Sequence, residues 1–314
     1  MVESEVLTPD PPAPIKVEVG GLQFSVIDEG AGPGVLLLHG FPDSSYVWRH
    51  QVAALTAAGF RVVAPDLRGF GESARPEGVD AYRIGNVLDD LRGILKALGI
   101  PRVHVVGHDW GGAVAWMFAT TRPQKVDRLV ALSVGHPVNF MSPGLRQLQR
   151  SWYMLFFQFE GEAEEAFQRH DWRLLRAMFA DGDVDRYVAD LSRPGALTAG
   201  LNWYRANMPP SVLLADPVPF PQIEAPTMGV WSDRDFALTE EQMVNSAKQV
   251  RGPWRYERLE GVGHTIQLQA PEKLNALLLD FLSSEARPRD QAEVRDAIGK
   301  HSGGLAERLK SDRG

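Results

Sequence analysis

The 314-residue chain contains no cysteine, which excludes disulfides and thiolate chemistry. It has no apolar run near the roughly 20 residues that a membrane-spanning helix requires. Positive charge is in the minority, with 33 Lys and Arg against 40 Asp and Glu, and the net charge of −7 argues against a general nucleic-acid binder. The opening residues, Met1 to Glu5, are acidic and lack an apolar core, so no secretory leader is expected and a cytoplasmic location is the default. No internal repeat is visible, and no cluster of side chains points to a metal or an organic cofactor. What remains is ordinary for a globular protein, with 44% hydrophobic and 23% charged residues. The length suits one large domain or a domain with an insertion.

Taken in order, residues 1–14 end in a proline-rich run and read as a disordered lead. Two strands follow, Ile15–Val19 and Leu22–Asp28, joined by Gly20-Gly21 as a hairpin turn. The continuous apolar run from Gly34 to Leu38 fits a central parallel strand. After it come a helix from about Ser44 to Ala58, a strand over Phe60–Pro65 and a helix over Tyr82–Leu98 with apolar residues at helical spacing. Val103–His108 and Val126–Val134 add two further strands. The loop Gly69-Phe70-Gly71-Glu72-Ser73 resembles a phosphate loop only weakly and is better read as a turn, because no Lys follows. This alternation indicates a mostly parallel central sheet with helices on both faces.

From about 137 to 219 strand-like runs give way to aromatic-rich helical stretches at Trp152–Phe159, Ala163–Phe179 and Leu197–Asn207. We expect an inserted helical cap here, with the prolines around 209–210 and 217–221 marking the return. The α/β pattern resumes with strand Thr227–Trp231, helix Glu240–Val250, strand Arg255–Leu259 and helix Pro271–Leu282. The expected organisation is thus a core of residues 15–136 and 220–284, a cap of 137–219, and a charged tail of 285–314.

The stretch Val103 to Gly112 organises the rest. A β-branched strand passes through Gly107-His108-Asp109-Trp110-Gly111 into a helical pattern, the layout of a nucleophile elbow. Here the central residue is Asp109. An ionised carboxylate attacks carbon directly and forms an alkyl ester, which points away from ester cleavage and towards opening an epoxide or displacing a halide. Such an ester must be hydrolysed by a general base and an acid that orients it. His264, between a strand and the last helix, follows the elbow in the chain order this arrangement uses. For the acid, Asp233 and Asp235 both follow a strand; Asp235, beside the apolar Phe236, is favoured. His39-Gly40-Phe41-Pro42 ends the strand that neighbours the elbow. The backbone N–H groups of Phe41 and Trp110 are candidates for an oxyanion hole. His39 and His108 read as packing or supporting residues.

With these motifs in place, the chain resembles the α/β-hydrolase superfamily and, more closely, the soluble epoxide hydrolases, over about residues 15–284. The His-Gly-x-Pro, Gly-x-Asp-x-Gly and Gly-His motifs fall on 39–42, 107–111 and 263–264. The resemblance implies the α/β-hydrolase fold and two cap tyrosines that donate hydrogen bonds to the epoxide oxygen. They match Tyr153 in Trp152-Tyr153-Met154-Leu155-Phe156 and Tyr204 in Asn202-Trp203-Tyr204-Arg205. It also places the acid on Asp235, and Tyr187 matches no motif. The implied partner is a small epoxide, apolar or aromatic to judge from Trp110, Trp152, Phe156 and Trp203. A haloalkane dehalogenase with the same Asp–His–Asp set is an alternative. Those proteins usually carry an Asn where this chain has Phe41, and they lack the tyrosine pair. A non-catalytic binding protein on the same scaffold is another.

Overall fold

The computed structural model describes residues 11–141, 143–214 and 219–284. The expected lead over 1–10, the tail over 285–314 and part of the return crossing, 215–218, lie outside them. Eight strands form one sheet: β1 Ile15–Val19, β2 Leu22–Glu29, β3 Gly34–Leu38, β4 Arg61–Pro65, β5 Val103–His108, β6 Val126–Leu132, β7 Thr227–Ser232 and β8 Trp254–Leu259. Their order is β1-β2-β4-β3-β5-β6-β7-β8. β2 runs antiparallel to β1 and β4, and every other neighbouring pair is parallel. Gly20 and Gly21 both take positive φ, the conformation that a two-residue hairpin matched to strand twist demands.

The helices are α1 Arg49–Ala57, α2 Ile84–Ala97, α3 Trp110–Thr121, α4 Val138–Met141, α5 Leu145–Arg150, α6 Trp152–Phe156, α7 Glu162–Met178, α8 Val184–Leu191, α9 Ala196–Asn207, α10 Glu240–Asn245, α11 Ile266–Gln269 and α12 Pro271–Ser283. Because side chains alternate along a strand, β3 sends Leu36 and Leu38 to one face and Val35 and Leu37 to the other. The first pair packs with α2 and α3 through residues such as Leu91, Ile94, Trp116 and Phe118. The second packs with α1 and α12 through Val52, Leu55, Leu274 and Leu278. Helices therefore cover both faces, as the continuous apolar runs of the central strands require.

Between β6 and β7 every element among the described residues is helical, from α4 to α9 and a short turn at Pro210–Leu214. Several elements differ from the sequence reading. The expected helix from Ser44 begins as a tight turn over Ser45–Trp48 before α1, and the one over 240–250 ends at Asn245. α7 is interrupted: Arg169 is extended, and His170, Asp171 and Trp172 are left-handed, where no Gly or Pro marks a break. α8 was not foreseen; its burial rests on Tyr187 and Leu191, and that signal is too short to stand out in sequence. The loop at 69–73 wraps a carboxylate, with Asp66 accepting the N–H of Glu72 and of Ser45.

Candidate active site

The carboxyl ends of β3, β5, β7 and β8 deliver the site residues, where a parallel sheet places ligands. Asp109 follows β5 with φ 52°, a left-handed conformation that is costly for a non-glycine residue and is held here by the tight strand-to-helix turn. The flanking glycines are sterically required. A Cβ on Gly107 would collide with the carbonyl of Gly111, and one on Gly111 with the carbonyl of Leu38. Gly40 is equally constrained, because a Cβ there would run into the Asp109 side chain itself. The strand, the turn and the neighbouring loop thus interlock around one carboxylate.

That carboxylate is buried and divided in its contacts. Oδ1 accepts the backbone N–H of Phe41 at 3.0 Å. Oδ2 faces His264 Nε2 at 3.6 Å, beyond hydrogen-bond length. Burial opposes ionisation, but His264, His108 and the Phe41 N–H together hold the carboxyl below its ordinary range. Trp110 is the first residue of α3, so its N–H has no partner within the helix and stands at the positive end of the dipole.

His264 Nδ1 meets Asp235 Oδ2 at 2.9 Å, and Asp235 is fully buried. The other oxygen of Asp235 accepts two backbone N–H groups, from Ala237 and Leu238, each at 2.9 Å. Asp233 lies apart, bonded to the Gly261 N–H. The backbone of the histidine loop is pinned from three strands. The His264 carbonyl accepts from His108 Nε2 at 2.9 Å and Ser133 Oγ at 3.2 Å, and the Gly263 carbonyl accepts from Ser232 Oγ at 2.7 Å. Burial lowers the affinity of His264 for a proton, yet the carboxylates of Asp235 and Asp109 reverse this and push its pKa up to about 10. At His108, burial and the neighbouring charge of His264 outweigh the same carboxylates and take the pKa down to about 4, so it serves as a neutral donor. His39 is likewise a support, accepting the Leu67 N–H on Nε2 with Nδ1 at the Gly40 carbonyl.

Asp109, Trp110, Tyr153 and Tyr204 line one cavity that is partly open to solvent. Its remaining walls are almost all apolar and include Ile84, Val134, Phe140, Met154 and Leu238. The rings of Tyr153 and Tyr204 stand edge to face at 6.0 Å, and Trp110 meets Tyr204 at 5.1 Å. Burial, and then the Asp109 charge, raise both phenols well above their ordinary pKa, so both keep their protons at neutral pH.

With this geometry in hand, the comparisons are direct. A family model described as the alpha/beta hydrolase fold matches residues 33–271. Epoxide hydrolase A of Mycobacterium tuberculosis is 32% identical over 85% of this chain and 96% of its own length. The AB hydrolase superfamily protein YfhM of Bacillus subtilis is 34% identical over 86% and 97%. The crystal structure of a Bacillus megaterium epoxide hydrolase in complex with an inhibitor superposes with a TM-score of 0.79, at 29% identity over 86% of this chain and all of that one. The chain belongs to the epoxide hydrolase family of the α/β-hydrolase fold.

Not every candidate reached the cavity. Trp152 is 54% exposed and points away from it. It shares α6 with Tyr153, and adjacent helical positions face different directions. Phe156 packs on Phe157 and Phe167 instead. Trp203 is wholly buried behind the cavity wall, between Phe70 and Trp110, with its indole N–H on the Arg68 carbonyl. Of the four aromatic candidates only Trp110 touches the space. Sequence reading also passed over Asp43, directly after the Phe41-Pro42 turn. It is buried beside Tyr187 and Asp183, and burial pushes its carboxyl up to about 8. Among the described residues no group of three or more His, Asp or Glu is placed to hold a metal ion. No helix there is long and apolar enough to cross a membrane.

Proposed function

We propose that this protein opens an epoxide to a vicinal diol through a covalent ester on Asp109. The observation that carries the reading is the division of the Asp109 carboxylate: Oδ1 on the Phe41 N–H, and Oδ2 held by no hydrogen bond and 3.6 Å from His264, in a cavity with two protonated phenols. Oδ2 attacks an epoxide carbon. The strained C–O bond breaks towards oxygen, and Tyr153 and Tyr204 supply a proton to the leaving alkoxide. Esterification removes the Asp109 charge, one of the two that hold the proton on His264. His264 then releases that proton, which restores the phenol.

In the second half, neutral His264, oriented by Asp235, takes a proton from water as the water attacks Cγ of Asp109. The oxyanion develops on Oδ1, where the Phe41 N–H already points, and the N–H of Trp110 is the second donor. Collapse breaks the Cγ–O bond to the substrate, the leaving alkoxide takes the proton of the new hydroxyl, directly or by way of His264, and the diol departs with Asp109 again a carboxylate beside a protonated His264. The chain's own groups account for every proton, and a small apolar or aromatic epoxide is the substrate class that the cavity walls favour. The test is incubation with a panel of aliphatic and aryl epoxides, with diol as the expected product. Bromide release from a bromoalkane without diol from any epoxide would identify a dehalogenase instead. No turnover of either class would point to a binding protein.

A further inference from the structure

The seven large hydrophobic side chains most exposed among the described residues are not scattered. Five of them, Leu145, Leu148, Trp152, Leu155 and Phe159, fall within fifteen residues of one another. They are 40–71% exposed. Their spacing is three, four, three and four, the a/d repeat of a helix that pairs with another helix. Two short helices, α5 and α6, carry the first four with only Ser151 between, and Phe159 follows one turn later. The opposite face of the same segment, with Gln147, Tyr153 and Phe157, is buried against the rest of the molecule. Among the described residues, nothing covers this outward-facing a/d seam.

We propose that this seam joins two copies of the chain, antiparallel, across a two-fold axis near Trp152. The seam is nearly symmetric about that residue, since Leu145 and Phe159 lie seven positions on either side, with Leu148 four before and Leu155 three after. An isologous contact requires this self-complementarity, with Leu145 of one copy over Phe159 of the other. The flanking charges select the same orientation. Arg146 marks one end of the seam, while Glu160 and Glu162 mark the other, and all three are exposed and make no ion pair among the described residues. Antiparallel pairing sets Arg146 of each copy against the acidic end of its partner, whereas parallel pairing would align like charges. At about 100 Å² each, five side chains from both copies cover roughly 1,000 Å², the lower bound of a specific interface. This proposal is independent of the catalytic reading.

Sedimentation velocity on the full chain from 1 to 100 µM tests it. The expected species has twice the monomer mass of 34.7 kDa. Trp152→Glu/Leu155→Glu, two exposed positions, should raise the dissociation constant at least a hundredfold with an unchanged circular dichroism spectrum. Arg146→Glu alone should weaken the pair about tenfold at low salt, and Arg146→Glu/Glu160→Lys should restore it. A wild-type monomer at 100 µM overturns the proposal, and so does a dimer indifferent to these changes. Monomeric protein that pellets with phosphatidylcholine vesicles through Trp152 and Leu155 would assign the seam to a lipid surface and overturn it equally.

Discussion

Replacing Asp235 by Asn changes one atom and exposes how the hydrolytic half is built. In the native site one oxygen of Asp235 accepts the N–H groups of Ala237 and Leu238, both at 2.9 Å. The amide oxygen of Asn must take that place, because the amide nitrogen cannot accept. The NH₂ is then turned towards His264 Nδ1, where it can only donate. His264 must present an unprotonated Nδ1 and carry its proton on Nε2, the atom that should collect a proton from water. A wrong-tautomer substitution of this kind in a protease triad lowers turnover about 10⁴-fold, or roughly 5–6 kcal/mol at 1.36 kcal/mol per tenfold. Alkylation by Asp109 does not need that nitrogen as a base, so only the second half should slow. Stopped-flow single turnovers should show ester formation within about tenfold of wild type and hydrolysis slowed roughly 10³–10⁴-fold. Intact-mass spectra should then show the alkylated protein accumulating. Asp233→Asn, whose amide oxygen can still accept the Gly261 N–H away from His264, should hydrolyse normally. Hydrolysis in Asp235→Asn within tenfold of wild type, or a large loss in Asp233→Asn, would refute this reasoning.

Tyr153→Phe and Tyr204→Phe should each slow alkylation, with single changes softened because the partner phenol remains. The double change should remove two donors at about 2–4 kcal/mol each and nearly abolish the step, measured as the burst of ester formation; an undiminished burst would exclude both as donors. The linkage of His264 to folding has a definite sign. Its folded pKa of about 10 lies above the ordinary 6.5, so its charge pairing stabilises the fold fully below about pH 6.5 and is lost as pH rises through 10. The melting-temperature advantage of wild type over His264→Gln should therefore shrink between pH 7 and pH 10, and a growing advantage would contradict the pairing.

The elbow was legible because its demands are local: a strand, two glycines that cannot carry a Cβ, and a helix in ten residues. The hairpin at Gly20-Gly21 was legible for the same reason. The mostly parallel sheet followed from apolar runs such as Gly34–Leu38, which no half-exposed strand would contain. What failed depended on the direction of side chains that only tertiary packing decides. Trp152 and Tyr153 are neighbours in one motif, yet one faces solvent and the other the cavity. Trp203 is aromatic and next to Tyr204, but it fills the wall instead of lining it. The apolar walls at Ile84, Val134, Phe140 and Leu238 come from four separate segments, and no short pattern unites them. The break in α7 at 169–172 has no sequence marker that we can identify.

The covalent role of Asp109 is tested most directly by a single turnover in heavy-oxygen water. If the carboxylate attacks first, water reaches the carbonyl carbon of Asp109 and one diol oxygen comes from the protein. The first diol released should be unlabelled, the peptide containing Asp109 should gain the label, and His264→Gln should hold an adduct equal in mass to the substrate. Labelled diol in the first turnover, with no label in that peptide and no adduct, would mean that water attacks the epoxide directly and that Asp109 is not the nucleophile.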